Sequence, residues 1–418
     1  MAQPPASLDA LIRRYDAGVF EPPPEGLRVR LIASGAGEWD VTLKPGNAEI
    51  GAARGPAPEA TLAADTGTWA EIAEDGRAGL LAFRQGRLII RRNLNLGVAL
   101  LAATSGVTGP GRLRFRQVET ASGVLSVMEG GAGVPVILIH GLGATKGSFL
   151  PTLLGLSGAF RLIALDLPGF GDSTKPLLAP YHAPFFARAV AELMNSLHID
   201  RAHVIGNSMG GRTALEVGLR YPKRVRRLVL LAPSLAWKRE RPWAPLVRLL
   251  RPELSLIQLA PRPVIEGFVH RMIPGAETNW VRAGVDEFLR SYMTPRGRMA
   301  FYAAARQIYL EEPHGSKGFW TRLARLEPEA LFIWEKRDTL VPIAFASHVR
   351  RALPPARHLE LDCGHVPQME CTLETNAAIA EFLSAAPMDK TAARRPGRAL
   401  GERRAYGEPG LTPPSQSP

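Results

Sequence analysis

From residue 134 to 365, short apolar runs recur along the chain, each ending in a turn bearing glycine, aspartate or serine and followed by a stretch with helical spacing. The runs are "VPVILIHG", "RLIALDLPG", "AHVIGNS", "RRLVLLAPS", "ALFIWEKRD" and "RHLELDCGH". Strands apolar on both faces and separated by helices predict a mostly parallel sheet covered on each side. Two further strands precede them: "RLRFRQVE", in which Leu113 and Phe115 alternate with arginines, and "GVLSVMEGG". In such an architecture catalytic groups belong at the carboxyl ends of the strands.

A different pattern occupies residues 27 to 105. "RVRLIA" and "EWDVTL" alternate apolar and polar positions, and "KPGN" supplies a turn to the next strand. "TGTWAEIAEDG" predicts a short capped helix, "LLAFRQGRLIIR" a hairpin, and "NLNLGVALLAAT" a closing helix with Asn93 as its cap. The expected organisation is an α+β domain over 1–108 and an α/β domain over 109–385. The interval 235–327 breaks the regular strand spacing and carries Trp243, Leu246, Leu249, Phe268, Met272, Phe288, Tyr292 and Phe301 at helical intervals, so it reads as a helical cap. Residues 386–418, basic and rich in proline, have too little apolar content to build a core and are expected to be disordered. No internal repeat is evident.

Composition narrows the class. A chain of 418 residues has room for about two domains, and 46% hydrophobic with 22% charged residues is ordinary for a soluble globular protein. The N-terminus lacks the features of a secretory signal, and no apolar run approaches the ~20 residues needed to span a bilayer, so a cytoplasmic protein is expected. Cys363 and Cys371 are too few for a disulfide framework and fit a reducing compartment. Lysine and arginine outnumber aspartate and glutamate by 51 to 39, which leaves room for peripheral contact with anionic membranes. The arginines are scattered, so solvated faces are favoured over a nucleic-acid site and no nucleic-acid partner is expected. The reading calls for no cofactor and no metal.

The candidate chemistry centres on "GNSMG" at 206–210, where a strand runs through a glycine-flanked serine into a helix. That strand-turn-helix elbow lifts a serine hydroxyl clear of the backbone. A hydroxyl needs a base to take its proton and an acid to hold the base in the right tautomer. Of nine histidines, His365 follows the last strand at its carboxyl end, and Asp338 follows the strand before it. Ser208, Asp338 and His365 are therefore the expected nucleophile, orienting acid and base. The glycine-rich loop "IHGLGATKGSF" places the Leu142 amide, with that of Met209, as the expected oxyanion donors. Cys363 as a nucleophile and Asp362 as the acid are weaker alternatives. His140 reads as a loop-shaping residue, and Asp166 and Asp172 as turn formers.

With "HGLG", "DLPGFGDS", "GNSMGG", "RDTLVP" and "GHVPQME" in this order, residues 111–385 resemble the α/β-hydrolase family. The resemblance implies Ser208 as nucleophile, His365 as general base and then acid, and Asp338 as orienting carboxylate. Members with aspartate at the elbow attack alkyl halides or epoxides, so serine at 208 implies ester, thioester or lactone hydrolysis. "GNSMGGRTAL" also resembles hydrolases that cleave carbon–carbon bonds in aromatic ring-fission products. Those enzymes usually carry an aromatic residue after the histidine, where this chain has Val366.

The N-terminal meander is similar to the sterol carrier protein-2 family over about 90 residues, on "EWDVTLKPGNAEI", "PEATLAADTGTWAEIAEDG" and "LLAFRQGRLIIRR". That resemblance implies a lipid or fatty acyl ligand enclosed by a domain without catalytic residues of its own. "RRNLNLGVALLAAT" lacks the family's usual glycine-aspartate. The combined expectation is a serine hydrolase acting on a small lipophilic acyl substrate, with carbon–carbon hydrolysis or a non-catalytic lipid-binding protein as the alternatives.

Overall fold

In the computed structural model, the alternating segments near the N-terminus form a five-stranded sheet. The structure describes residues 3–109, 111–236, 251–256 and 279–386, with isolated positions 246, 249, 261, 263, 264 and 267. Helix α1 (Ala6–Ile12) precedes β1 (Leu27–Ser34), β2 (Gly37–Lys44) and β3 (Asn47–Ala52), then β4 (Ala60–Asp65), α2 (Thr66–Glu74), α3 (Ala78–Arg84), β5 (Ile89–Arg91) and α4 (Leu94–Ala103). The strand order is β3-β2-β1-β4-β5, with only β1 and β4 parallel. Gly46 provides the left-handed residue (φ 76°) in the "KPGN" turn.

Two helix starts follow the capping rules. Asp65 accepts a hydrogen bond from the Thr68 amide at 2.7 Å, and Asn93 from the Leu96 amide at 2.9 Å. The hairpin expected in "LLAFRQGRLIIR" is corrected: its first half is α3, and only Ile89–Arg91 is strand. Ala82 and Phe83 are fully buried while Leu81 is exposed, a spacing that suits one helix face. Gly86 (φ 78°) ends that helix.

The six apolar runs and the two strands before them become β6 (Arg114–Thr120), β7 (Gly123–Gly130), β8 (Pro135–Ile139), β9 (Arg161–Leu165), β10 (Ala202–Asn207), β11 (Val225–Leu231), β12 (Glu329–Glu335) and β13 (Arg357–Leu361). They form one sheet in the order β13-β12-β11-β10-β8-β9-β7-β6. The pairings from β13 through to β9 are parallel, and β7 joins β9 and β6 antiparallel.

Helices α5 (Leu150–Leu156), α6 (Ala183–Ser196) and α7 (Met209–Arg220) fill crossovers, and α8 (Asn279–Tyr292) and α9 (Pro295–Leu310) belong to the insert between β11 and β12. That insert also holds α10 (Phe319–Leu323); α11 (Phe345–Ala352) follows β12, and α12 (Pro367–Glu370) and α13 (Thr372–Ser384) follow β13. Of the cap residues named from sequence, Trp243, Phe268 and Met272 lie outside the described residues, as does the tail from 387 onward.

Each central strand buries both faces, by strict alternation. Ile137 and Ile139 of β8 and Val204 of β10 enter the core beneath α6, α7 and the cap, while Val136, Leu138 and Ile205 enter a second core on the other face. That second core continues without a break into Val29, Leu62, Trp69 and Phe83 of the N-terminal region. All ten residues of α4 are buried. Among the described residues, no helix is long and apolar enough to cross a membrane.

Candidate active site

The turn after β10 is built by crowding. Ser208 sits at φ 55° and ψ −117°, a conformation that costs a non-glycine residue roughly 1–3 kcal/mol. Its neighbours must be glycine: a Cβ on Gly206 would lie 2.1 Å from the Gly210 carbonyl oxygen, and one on Gly210 would lie 2.0 Å from that of Ile139. The strain is held by a bond from the Ser208 amide to the Leu231 carbonyl at 2.9 Å. The side chain thereby stands at the carboxyl edge of the sheet, at the first turn of α7.

His365 lies on the loop after β13, and its Nδ1 is 2.7 Å from Oδ2 of Asp338. The other oxygen of Asp338 accepts from the amides of Leu340 and Val341 at 2.7 and 2.9 Å, which fixes the carboxylate in the turn that follows β12. The His365 loop is itself held by Glu370, whose carboxylate accepts from the Gly364 and Val366 amides. Asn207, next to Ser208, donates from Nδ2 to the His365 carbonyl at 3.1 Å. The loops carrying Ser208, Asp338 and His365 thus meet at one edge of the sheet. In this conformation the Ser208 hydroxyl shares a 3.3 Å hydrogen bond with Ser234 rather than one with His365.

The loop after β8 approaches from the opposite side. A Cβ on Gly141 would lie 3.2 Å from the Cβ of Ser208, so this loop runs against the nucleophile turn. The amides of Leu142 and Met209 donate to no other group among the described residues, as an anion site requires. Buried His140 accepts at Nε2 from the Leu167 amide at 3.0 Å, and its Nδ1 donates to the Gly141 carbonyl at 2.7 Å. It ties two loops together, and burial lowers its pKa. Asp362 is exposed and paired with Arg337. Cys363 is buried, with its sulfur beside that of Cys371.

Other features escaped the sequence. Ser234, on the turn after β11, donates its amide to the Ser208 carbonyl at 3.1 Å. Asp166 accepts from the amides of Lys146 and Asp172, as a turn former does, but its fully buried carboxylate also pairs with Lys146 Nζ at 2.7 Å. Lys146 Nζ lies 3.1 Å from Asp172, which in turn receives Arg290 of α8 at 2.6 Å. On the other flank Arg212 of α7 reaches Glu311, at the end of α9, and Glu216. Neighbouring Arg212 and the other arginines around it hold the Glu216 carboxyl down at about 2, against the opposing effect of burial.

The roof over the Gly141–Gly143 loop is aromatic. Phe288 stacks on Tyr292 at 5.0 Å between ring centroids and meets Phe301 edge-on at 5.5 Å. A small cavity of about 110 Å³, lined by Met209, Tyr181, Ile308 and Arg212 among others, lies beside the elbow. A larger one of about 1290 Å³ does not touch Ser208 or His365; it opens between the N-terminal region and the sheet.

Residues 134–371 match the family model described as the alpha/beta hydrolase fold. The chain belongs to the α/β-hydrolase fold family. Among curated relatives, it is 29% identical over 280 residues to the 2-hydroxy-6-oxo-6-phenylhexa-2,4-dienoate hydrolase of Comamonas testosteroni, covering 61% of this chain and 89% of that one. It is 28% identical over 271 residues to the dihydrolipoyllysine-residue acetyltransferase component of the acetoin cleaving system of Cupriavidus necator, covering 61% of this chain and 65% of the relative. Among solved structures, a bacterial membrane phospholipase A superposes with a TM-score of 0.53 at 26% identity, over 65% of this chain and 86% of that one. The α/β-hydrolase match begins at residue 134, so the N-terminal five-stranded sheet lies outside it.

Proposed function

We propose that the protein is a serine hydrolase that cleaves a lipophilic carboxylic ester or thioester through an acyl-enzyme on Ser208. The observation that carries this reading is the 2.7 Å bond between His365 and Asp338, on loops tied to the strained Ser208 turn. Asp338 accepts a hydrogen bond from the Nδ1–H of His365, leaving Nε2 as the base. Nε2 removes the Ser208 proton as Oγ attacks the acyl carbon. The Leu142 and Met209 amides receive the resulting oxyanion. Collapse expels the alcohol or thiol, which takes the proton from His365. Water, deprotonated by the same imidazole, then releases the carboxylic acid and restores Ser208.

The aromatic roof supports an apolar acyl group. The 1290 Å³ cavity, lined in part by Phe20, Leu27, Leu96, Phe115, Leu289 and Met293, supports a lipid or other amphiphile beside the N-terminal region. The likeness to the phospholipase structure is in keeping with such a substrate.

A second reading, carbon–carbon bond hydrolysis, is favoured by the 29% identity to the Comamonas testosteroni enzyme. The two are separated by offering purified protein a fluorophosphonate probe, medium-chain p-nitrophenyl esters and a vinylogous diketone acid. Ser208 labelling with ester turnover supports the first reading, and consumption of the diketone acid alone supports the second. No labelling of Ser208 removes the ester reading.

A further inference from the structure

Three consecutive residues of α8 face three different neighbours. Asp286, 3% exposed, accepts from Arg91 Nε at 2.6 Å and from the Arg92 amide at 2.9 Å. Glu287, 2% exposed, accepts from the Leu94 amide at 2.6 Å and from Asn95 Nδ2 at 3.1 Å. Arg290 bridges Glu287 to Asp172. Phe288 turns the other way: a Cβ on Gly143 would come within 2.7 Å of its ring. Successive helical residues point about 100° apart, so these three positions span more than half of the helix circumference. Helix α8 is therefore gripped between the N-terminal region and the loop that carries the Leu142 amide.

The grip is chemically specific. Helix α4 is buried along its whole length, and its first amides are left without intrahelical acceptors. Glu287 satisfies the Leu94 amide and places a carboxylate at the positive end of the α4 dipole. Burial raises the Glu287 pKa, and Arg290 opposes that rise.

We propose that Asp286 and Glu287 are positioning residues that clamp α8 to the N-terminal region, and that the clamp sets Phe288 over Gly143 as the residue limiting how large an acyl group the site admits. This rests on the acyl-hydrolase reading above. It gives the N-terminal region a part in substrate selection that does not require it to carry a ligand.

The test measures kcat/KM for p-nitrophenyl octanoate and p-nitrophenyl acetate. Phe288→Ala should raise the octanoate-to-acetate ratio by about tenfold, the scale on which apolar pockets discriminate. Glu287→Gln and Asp286→Asn should each shift the ratio the same way by a smaller factor. Adding either to Phe288→Ala should change it little further, because all act through one ring. If Glu287→Gln does not fold, Asn95→Ala removes one of its donors while leaving the Arg290 pair, and carries the same expectation. A clamp that is only structural would lower both esters in proportion, and an unchanged ratio in Phe288→Ala and in the clamp variants overturns the proposal. If the wild type turns over neither ester, the ester reading fails independently. Hydrogen exchange then decides the clamp: faster exchange at both 279–292 and 141–146 in Glu287→Gln supports it, and a change confined to 88–96 overturns it.

Discussion

Asn207 Nδ2 donates to the main-chain carbonyl of His365 at 3.1 Å, so the residue beside Ser208 grips the loop that carries the imidazole. The same amide reaches the Leu231 carbonyl at 3.2 Å, which anchors it to the sheet. Asn207→Ala should free the His365 loop and lower kcat on the order of tenfold with KM little changed, since small misplacements of a base are costly. Steady-state kinetics on a p-nitrophenyl ester checks this, and a change confined to KM would contradict it.

Asp338→Asn tests the tautomer argument. The side chain retains an oxygen for the Leu340 and Val341 amides, so the turn should survive. Its NH2 would face His365 Nδ1 and force that nitrogen to accept, placing the proton on Nε2, where the base is needed. A drop in kcat of roughly 10⁴-fold is expected, with an unchanged melting temperature to within a few degrees. Activity near that of the wild type would remove Asp338 from the mechanism.

Lys146 lies buried between Asp166 and Asp172. Lys146→Met leaves two carboxylates without their shared cation and should destabilise the fold by about 3–5 kcal/mol. Urea denaturation measures this. Loss of less than about 1 kcal/mol would show that water or Arg290 takes over the lysine's role.

Glu335 closes β12 with its carboxyl buried, and desolvation, with a smaller effect from Asp338, raises its pKa well above 4.5. The folded chain therefore holds this proton more tightly than the unfolded one. That stabilisation is complete below about pH 4.5 and is lost as the pH rises through the raised folded value. Glu335→Gln carries no such proton, so its melting temperature relative to the wild type should climb as the pH increases. A difference independent of pH would show that Glu335 is ionised in the fold.

Much of this arrangement can be read from local pattern. Six strands of the larger sheet announce themselves as apolar runs and β6 by alternation, and Ser208, Asp338 and His365 each follow an apolar run. The elbow glycines are legible because no other residue fits between Gly206, Gly210 and Ile139. Misreading 80–91 as a hairpin had a physical source, since Gly86 in a left-handed conformation serves a hairpin turn and a helix end equally well. What pattern does not reveal is which charges are buried. Asp166 reads in sequence as a turn former and nothing there marks Lys146 or Glu287, yet all three are buried, and with the more exposed Asp172 and Arg290 they join the cap to the sheet and to α4. Their partners lie as far as 193 residues away, beyond any local window.

The central claim is tested most directly by trapping the covalent intermediate. Protein mixed with p-nitrophenyl octanoate, quenched in acid and digested, should yield the peptide containing Ser208 with the mass of one added octanoyl group, and His365→Ala should yield almost none. Burst release of p-nitrophenol without any acyl group on Ser208, or an adduct on another residue, would contradict the account.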